Sequence, residues 1–173
     1  SETEKAEHQR LVYLTQLDKI PVAVALNQAQ MEIVRMGRFA ERNLRTAIDC
    51  FLERDEEKRQ QVLETEAVVD YLDGQITQAL INIRYHHMTD KELNRLSRML
   101  LVVSDIERIS DHAENLTQYM MRLKEQRVSI SEPALEDLKE ISDATMEVMH
   151  TSLEVFAGDE FDRLDEAVRL ENI

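Results

Sequence analysis

Apolar side chains recur at intervals of three and four residues along most of the chain, the period of a helix with one buried face. The sequence contains only three Gly and two Pro, whereas a sheet protein needs turn residues every ~8–12 positions. The pattern therefore predicts an all-α fold without strands. Helices are predicted over residues 21–54, 57–86, 90–126, 132–157 and 159–173.

Residues that favour helix ends support this division. Asp55 and Ser131 are predicted N-caps for the second and fourth helices, and Thr89 or Asp90 is predicted to cap the third. Gly37 lies inside the first helix, where it costs about 1 kcal/mol relative to Ala. A close helix–helix contact at this position would explain the glycine.

The apolar stripes predict how the helices pack. The first three helices are expected to form an antiparallel bundle, and residues 1–20 are predicted to be a polar lead-in. In the fourth helix the stripe is predicted at Leu138, Ile141, Thr145, Val148, Ser152 and Val155. Because the chain ends before a sixth helix, the fourth and fifth lack a third partner, and we expect a homo-oligomer. We interpret the chain as a fragment of a longer protein.

Charge narrows the choice of partners. Lys and Arg number 21 and Asp and Glu 35, so the formal charge is 21 − 35 = −14. Such an excess of acid argues against binding to nucleic acid or to an anionic membrane surface. The longest uncharged run near the start, residues 20–31, is too short to insert into a bilayer. No nucleophile motif, phosphate loop or Cys pair is present, so we expect a protein that is not an enzyme.

Two acidic pairs with i,i+4 spacing are the main candidate for chemistry. One lies on the second helix and one on the third, and each pair shares a helix face beside the apolar stripe. Such carboxylates repel one another, and a hard cation would remove the repulsion. The alternative is that they are boundary residues, solvated or paired with Lys and Arg. The candidate metal ligands, including one flanking residue a turn further along each helix, are Glu66, Asp70, Asp73, Glu107, Asp111 and Asn115.

A second type of metal site is suggested by the fourth helix. Glu147 and His150 have the Glu-x-x-His spacing of carboxylate-bridged di-iron bundles. This spacing motivates an alternative function, a metal oxidase of ferritin type. The alternative requires a second such motif on another helix, and the sequence does not offer one.

The segment Ser-Asp-Ile-Glu-Arg-Ile-Ser-Asp-His-Ala-Glu-Asn-Leu at 104–116 resembles the signature helix of PhoU-like domains, and residues 51–73 resemble the preceding turn and helix. The resemblance implies two similar three-helix bundles of spectrin-repeat type. Residues 21–127 would form the first bundle and 132–173 an incomplete second one. It also implies that the Glu/Asp-x-x-x-Asp motifs could hold Fe, Zn, Mn or Mg.

Residues 17–26 and 32–37 resemble the segment that joins the membrane and cytoplasmic parts of bacterial sodium/phosphate cotransporters. This implies a regulatory domain of phosphate transport on the cytoplasmic side of the inner membrane. Its partners would be a transporter membrane domain in the same chain or other phosphate-transport and signalling proteins. The alternative within the family is a stand-alone PhoU-type regulator of phosphate uptake.

Overall fold

The computed structural model describes residues 10–14, 19–84 and 87–158, and these ranges contain four α-helices and no strand. This confirms the all-α prediction. The predicted fifth helix at 159–173 lies outside the described residues. The four described helices are α1 (Val22–Glu53), α2 (Glu56–Arg84), α3 (Asp90–Glu125) and α4 (Glu132–Gly158).

Side-chain caps set three of the helix starts. The Asp55 Oδ1 atom accepts a hydrogen bond of 2.8 Å from the backbone N–H of Glu57 at the start of α2. Thr89, rather than Asp90, caps α3, and the Glu92 carboxylate in turn accepts a hydrogen bond from the Thr89 N–H. Ser131 caps α4 through a longer bond of 3.4 Å. These caps explain why the sequence pattern placed the starts within about one residue.

Helices α1, α2 and α3 pack against one another through the predicted stripes. Short connections between consecutive helices make neighbouring helices antiparallel. The centre of the bundle consists of large aliphatic side chains with almost no exposed surface. These are Leu26, Ile33, Met36, Leu72, Ile76, Leu80, Leu96 and Met99.

Helix α4 packs mainly on α1, and it does so through a different face from the predicted one. Met146, Met149 and Leu153 are buried, whereas Ile141 is 64% exposed. Both faces of α4 carry apolar residues, so the helical period alone could not decide which face is buried. The predicted stripe was therefore wrong at Ile141, Thr145 and Ser152, which are exposed, whereas its last residue, Val155, is buried as predicted. The homo-oligomer was expected because α4 would have no helix to cover its apolar stripe. Since α4 packs on α1, that argument no longer applies, and the homo-oligomer stays a prediction.

Gly37 lies at a close contact between α1 and α4. A Cβ atom at this position would collide with the Leu153 Cδ2 methyl group of α4 and would lie 3.4 Å from Ile106 Cδ1 of α3. The predicted close contact is confirmed. The glycine allows three helices to meet, which offsets its cost in helix propensity.

Residues 10–14, which we call the N-terminal strap, are fixed to α1 rather than frayed. The Glu32 carboxylate is fully buried and accepts hydrogen bonds from the backbone N–H groups of Val12 (2.8 Å) and Tyr13 (2.7 Å). Arg35 donates to the same carboxylate at 2.6 Å and also to a backbone carbonyl of the strap at 2.7 Å. The prediction of a lead-in at 1–20 is thus corrected for these five residues, because a buried charge requires such partners.

Across the described ranges, none of the helices has the length and hydropathy needed to cross a membrane.

Candidate metal site

The facing sides of α2 and α3 bring three of the predicted carboxylates together. Glu66 and Asp70 lie one turn apart on α2, and Asp111 lies opposite them on α3. One oxygen atom of each residue lies within 4.8 Å of an oxygen of the other two. Ser110 and Ala113, on either side of Asp111 along α3, are small and buried. We call Glu66, Asp70 and Asp111 the carboxylate cluster.

Two further predicted residues lie at the edge of the cluster. Burial raises the pKa of Glu107, and the charges of Asp111, Asp73 and Asp70 raise it further. Burial also raises the pKa of Asp73, with a contribution from Asp70. These residues therefore share the electrostatic field of the cluster, although their oxygen atoms are not among the three that converge.

Asn115 is exposed on α3. Glu114, which the sequence reading did not select, is half-buried, and its charge contributes to raising the pKa of Glu66. Its Oε1 atom accepts a hydrogen bond of 2.9 Å from Gln118. Spacing could have indicated Glu114, because it lies three residues after Asp111 and so shares its side of the helix.

The strongest electrostatic effect in the cluster falls on Glu66. Burial raises its pKa to about 7, assisted by the charge of Asp70, a hydrogen bond with Asp70, and the charges of Glu114 and Asp111. Glu66 is thus close to half-protonated at neutral pH. A proton on Glu66 relieves part of the repulsion between the Glu66 and Asp70 carboxylates.

The geometry of the cluster fits a hard cation. Oxygen ligands bind Ca²⁺ at 2.3–2.6 Å and Mg²⁺ at about 2.0–2.1 Å, so two ligands of one ion lie at most about 5.2 Å apart around Ca²⁺ and about 4.2 Å apart around Mg²⁺. The separations within the cluster, at most 4.8 Å, satisfy the limit for Ca²⁺, and a smaller ion requires the oxygen atoms to lie closer together than this upper value. All three donors are carboxylates, which suit Mg²⁺, Mn²⁺ or a ferric ion better than Zn²⁺, for which His and Cys ligands are usual.

The other candidates have local structural partners. His150 Nδ1 lies 2.8 Å from Glu41 Oε1, in an interaction that connects α4 to α1, while Glu147 is exposed. The described residues therefore give no support to a di-iron motif on α4. Cys50 is buried, and its thiol donates to the backbone carbonyl of Asp55, as expected of a core residue.

An all-α bundle with an acidic cluster between two long helices defines the structural class of this protein. The family model described as "PhoU domain" matches residues 33–120, which is more than half of the chain and includes the whole cluster. The chain therefore belongs to the PhoU domain family, and the resemblance of residues 51–73 and 104–116 to PhoU-like domains is confirmed.

Several named relatives are phosphate-specific transport system accessory proteins PhoU. The protein of Serratia marcescens is 25% identical over 146 residues, which cover 84% of this chain and 58% of the relative. That of Escherichia coli K12 is 24% identical over the same length and coverage. A PhoU homolog of Xylella fastidiosa Temecula1 is 28% identical over 98 residues, 57% of this chain and 41% of the relative.

The chain thus spans about half the length of the curated relatives it matches. The comparison with solved structures gave no match.

Proposed function

We propose that this protein is a non-catalytic regulatory component of phosphate transport, acting on the cytoplasmic side of the membrane. The proposal is carried by its membership of the PhoU domain family together with the carboxylate cluster that lies inside the matched region. Relatives that carry the name of a phosphate-specific transport accessory protein support this role.

Within that role, the stand-alone regulator is favoured over the cotransporter domain. The relatives are named as accessory proteins, and none of those reported above is named as a cotransporter. The resemblance of residues 17–26 and 32–37 to the connecting segment of sodium/phosphate cotransporters is the remaining argument for a fused membrane domain. Its partner would then be that membrane domain, whereas a stand-alone regulator would contact a separate phosphate transporter.

We further propose that the carboxylate cluster holds a divalent or trivalent cation. Glu66, Asp70 and Asp111 would supply the ligands, with Asp73 and Glu107 adding negative charge from the edge. A bound cation supplies the positive charge that this site lacks. The three ligand side chains would then connect α2 to α3, and Glu66 would have to release its proton to bind.

The role in transport can be tested in the source cells. We would delete the gene, restore it with the natural sequence or with a variant, and measure uptake of radioactive phosphate under phosphate-rich and phosphate-poor conditions. The natural sequence is expected to restore regulation, and Asp70→Asn/Asp111→Asn is expected to impair it.

The matched control is Asp137→Asn/Asp143→Asn, which removes two exposed charges from α4. It should restore regulation fully. Unchanged phosphate uptake in the deleted strain under both conditions would contradict the transport role.

A further inference from the structure

A cavity of about 480 Å³ lies between the N-terminal strap and the exposed side of α1. Every described residue that lines it belongs to these two segments, so the cavity is separate from the carboxylate cluster on α2 and α3. Its lining includes four arginines and, among the described residues, no acidic residue: Arg10, Arg35, Arg38 and Arg42. In a chain of formal charge −14 this concentration of positive charge is unusual.

Three of these arginines are arranged by the period of α1. Arg35, Arg38 and Arg42 lie three and four residues apart, which places them along one side of the helix. The guanidinium groups of Arg35 and Arg42 lie 5.6 Å and 4.7 Å from the centroid of the Phe39 ring. Contact with one aromatic ring restricts both side chains before any ligand arrives, and this reduces the entropy lost on binding.

Carboxylates that neutralise part of this charge lie outside the lining. Glu32 pairs with Arg35 beneath the strap. Glu41 and Glu154 pair with Arg38. Arg42 forms no ion pair within the described part of the chain, and its guanidinium is held by the Phe39 ring. The lining therefore retains an excess of positive charge toward the cavity.

The remaining walls are apolar. Met31, Val34 and Tyr13 line the same cavity beside the arginines, and Met31 is half exposed. Sites for small molecules combine such apolar walls with a few charged groups and commonly have volumes of roughly 300–1,000 Å³. An inorganic anion would use the arginines alone and leave this apolar surface uncovered.

We propose that this cavity binds a phosphate-bearing organic anion of nucleotide size, supplied either by a soluble nucleotide or by the headgroup of a phospholipid. The planar guanidinium groups donate paired N–H bonds that match the oxygens of a phosphate. The organic part of the ligand packs on the apolar wall. This proposal does not depend on a cation in the carboxylate cluster or on a role in phosphate transport.

The position of the cavity connects binding to the strap. Arg10 belongs to the strap and Arg42 to α1, and both line the same cavity. A phosphate bridging these two guanidinium groups adds a contact between the strap and α1 to the existing contacts through Glu32. Binding should therefore protect the strap from proteolysis.

The test is a titration of the full chain with ADP and with pyrophosphate by isothermal calorimetry, using Arg10→Gln/Arg42→Gln as the altered protein. The matched control is Arg45→Gln/Arg108→Gln, which removes two exposed arginines outside the cavity and changes the net charge equally. A parallel arm measures sedimentation with vesicles of phosphatidylcholine, with and without phosphatidylglycerol. Circular dichroism checks that each variant is folded, and the single variant Arg42→Gln provides a milder change.

We expect the cavity variant to weaken binding roughly tenfold or more and the control by less than about twofold. Binding of ADP but not of vesicles assigns the site to a soluble nucleotide, and variant-dependent binding of phosphatidylglycerol vesicles alone assigns it to a lipid headgroup. Two results would overturn the proposal. One is the absence of binding to ADP, to pyrophosphate and to phosphatidylglycerol vesicles, with the soluble probes at millimolar concentration, and the other is an equal loss in the cavity and control variants.

Discussion

Replacing Glu66 by Gln should stabilise the metal-free protein at alkaline pH and leave it unchanged in acid. The pKa of Glu66 is about 7 in the folded chain, against an ordinary value of 4.5 that applies when the chain is unfolded. The folded state therefore favours the protonated form. The stability from this group is complete below pH 4.5, and it is lost as the pH rises toward 7 and above.

The size of the effect follows from the same pKa difference. Each pKa unit corresponds to ~1.4 kcal/mol, so the full difference would approach ~3 kcal/mol. Glu66 is only half-buried, and solvent screening reduces the expected loss to ~1–2 kcal/mol. Gln resembles the protonated carboxyl and cannot ionise, so Glu66→Gln should avoid this loss.

The assay is urea denaturation followed by circular dichroism in the presence of a chelator, at several pH values between 4.5 and 8.5. The variant should exceed the natural protein in free energy of unfolding by ~1–2 kcal/mol at pH 8.5 and match it near pH 4.5. Glu140→Gln, an exposed change on α4, corrects for the general effect of net charge. If Glu66→Gln is less stable than the natural protein at pH 8.5, the carboxylate has a favourable partner and the reasoning fails.

Three further predictions concern the packing of the bundle. Gly37→Ala should stabilise the protein by up to ~1 kcal/mol only in a Leu153→Ala background, where the new Cβ atom no longer collides with the Leu153 side chain. A double-mutant cycle that shows no coupling between the two positions would contradict the close contact. Glu32→Ala should cost ~3 kcal/mol in urea denaturation and should expose the strap to trypsin, because it leaves two backbone N–H groups and one guanidinium without their acceptor. Met146→Ala should lower the free energy of unfolding by ~2 kcal/mol and Ile141→Ala by less than ~0.5 kcal/mol. The reverse order would show that the face of α4 with Ile141 is the buried one.

The helix limits and the core of the first three helices could be predicted because local features determine them. Caps such as Asp55 and Thr89 act within three residues, and the buried residues of α1, α2 and α3 recur at helical spacing. The buried face of α4 could not be predicted, because Ile141 and Met146 make two adjoining sides of that helix similarly apolar. Which side is buried depends on Gly37, a contact more than a hundred residues away in sequence.

The carboxylate cluster could be predicted from local spacing, whereas the arginine-lined cavity beside the N-terminal strap could not. The pairing of Glu66 with Asp70 follows from i,i+4 spacing, and the position of Asp111 opposite them was expected from the antiparallel packing of α2 and α3. The burial of Glu32 could not be predicted, because its partners are backbone N–H groups in a segment that looked like a polar lead-in. The arginine-lined cavity depends on the same strap, so the spacing of the arginines along α1 did not reveal it.

The most direct test of the proposed cation site is a calorimetric titration of chelator-treated protein with Mn²⁺ at pH 7.5, for the natural chain and for Asp70→Asn/Asp111→Asn. We expect binding by the natural chain that weakens as the pH falls below about 7, because Glu66 is then protonated and protons compete with the cation for the carboxylates. The double variant should lose this binding while folding at least as well without metal, and Asp137→Asn/Asp143→Asn should retain it. Unchanged Mn²⁺ affinity in the Asp70/Asp111 variant, or no binding by the natural chain, would contradict a cation site at the carboxylate cluster.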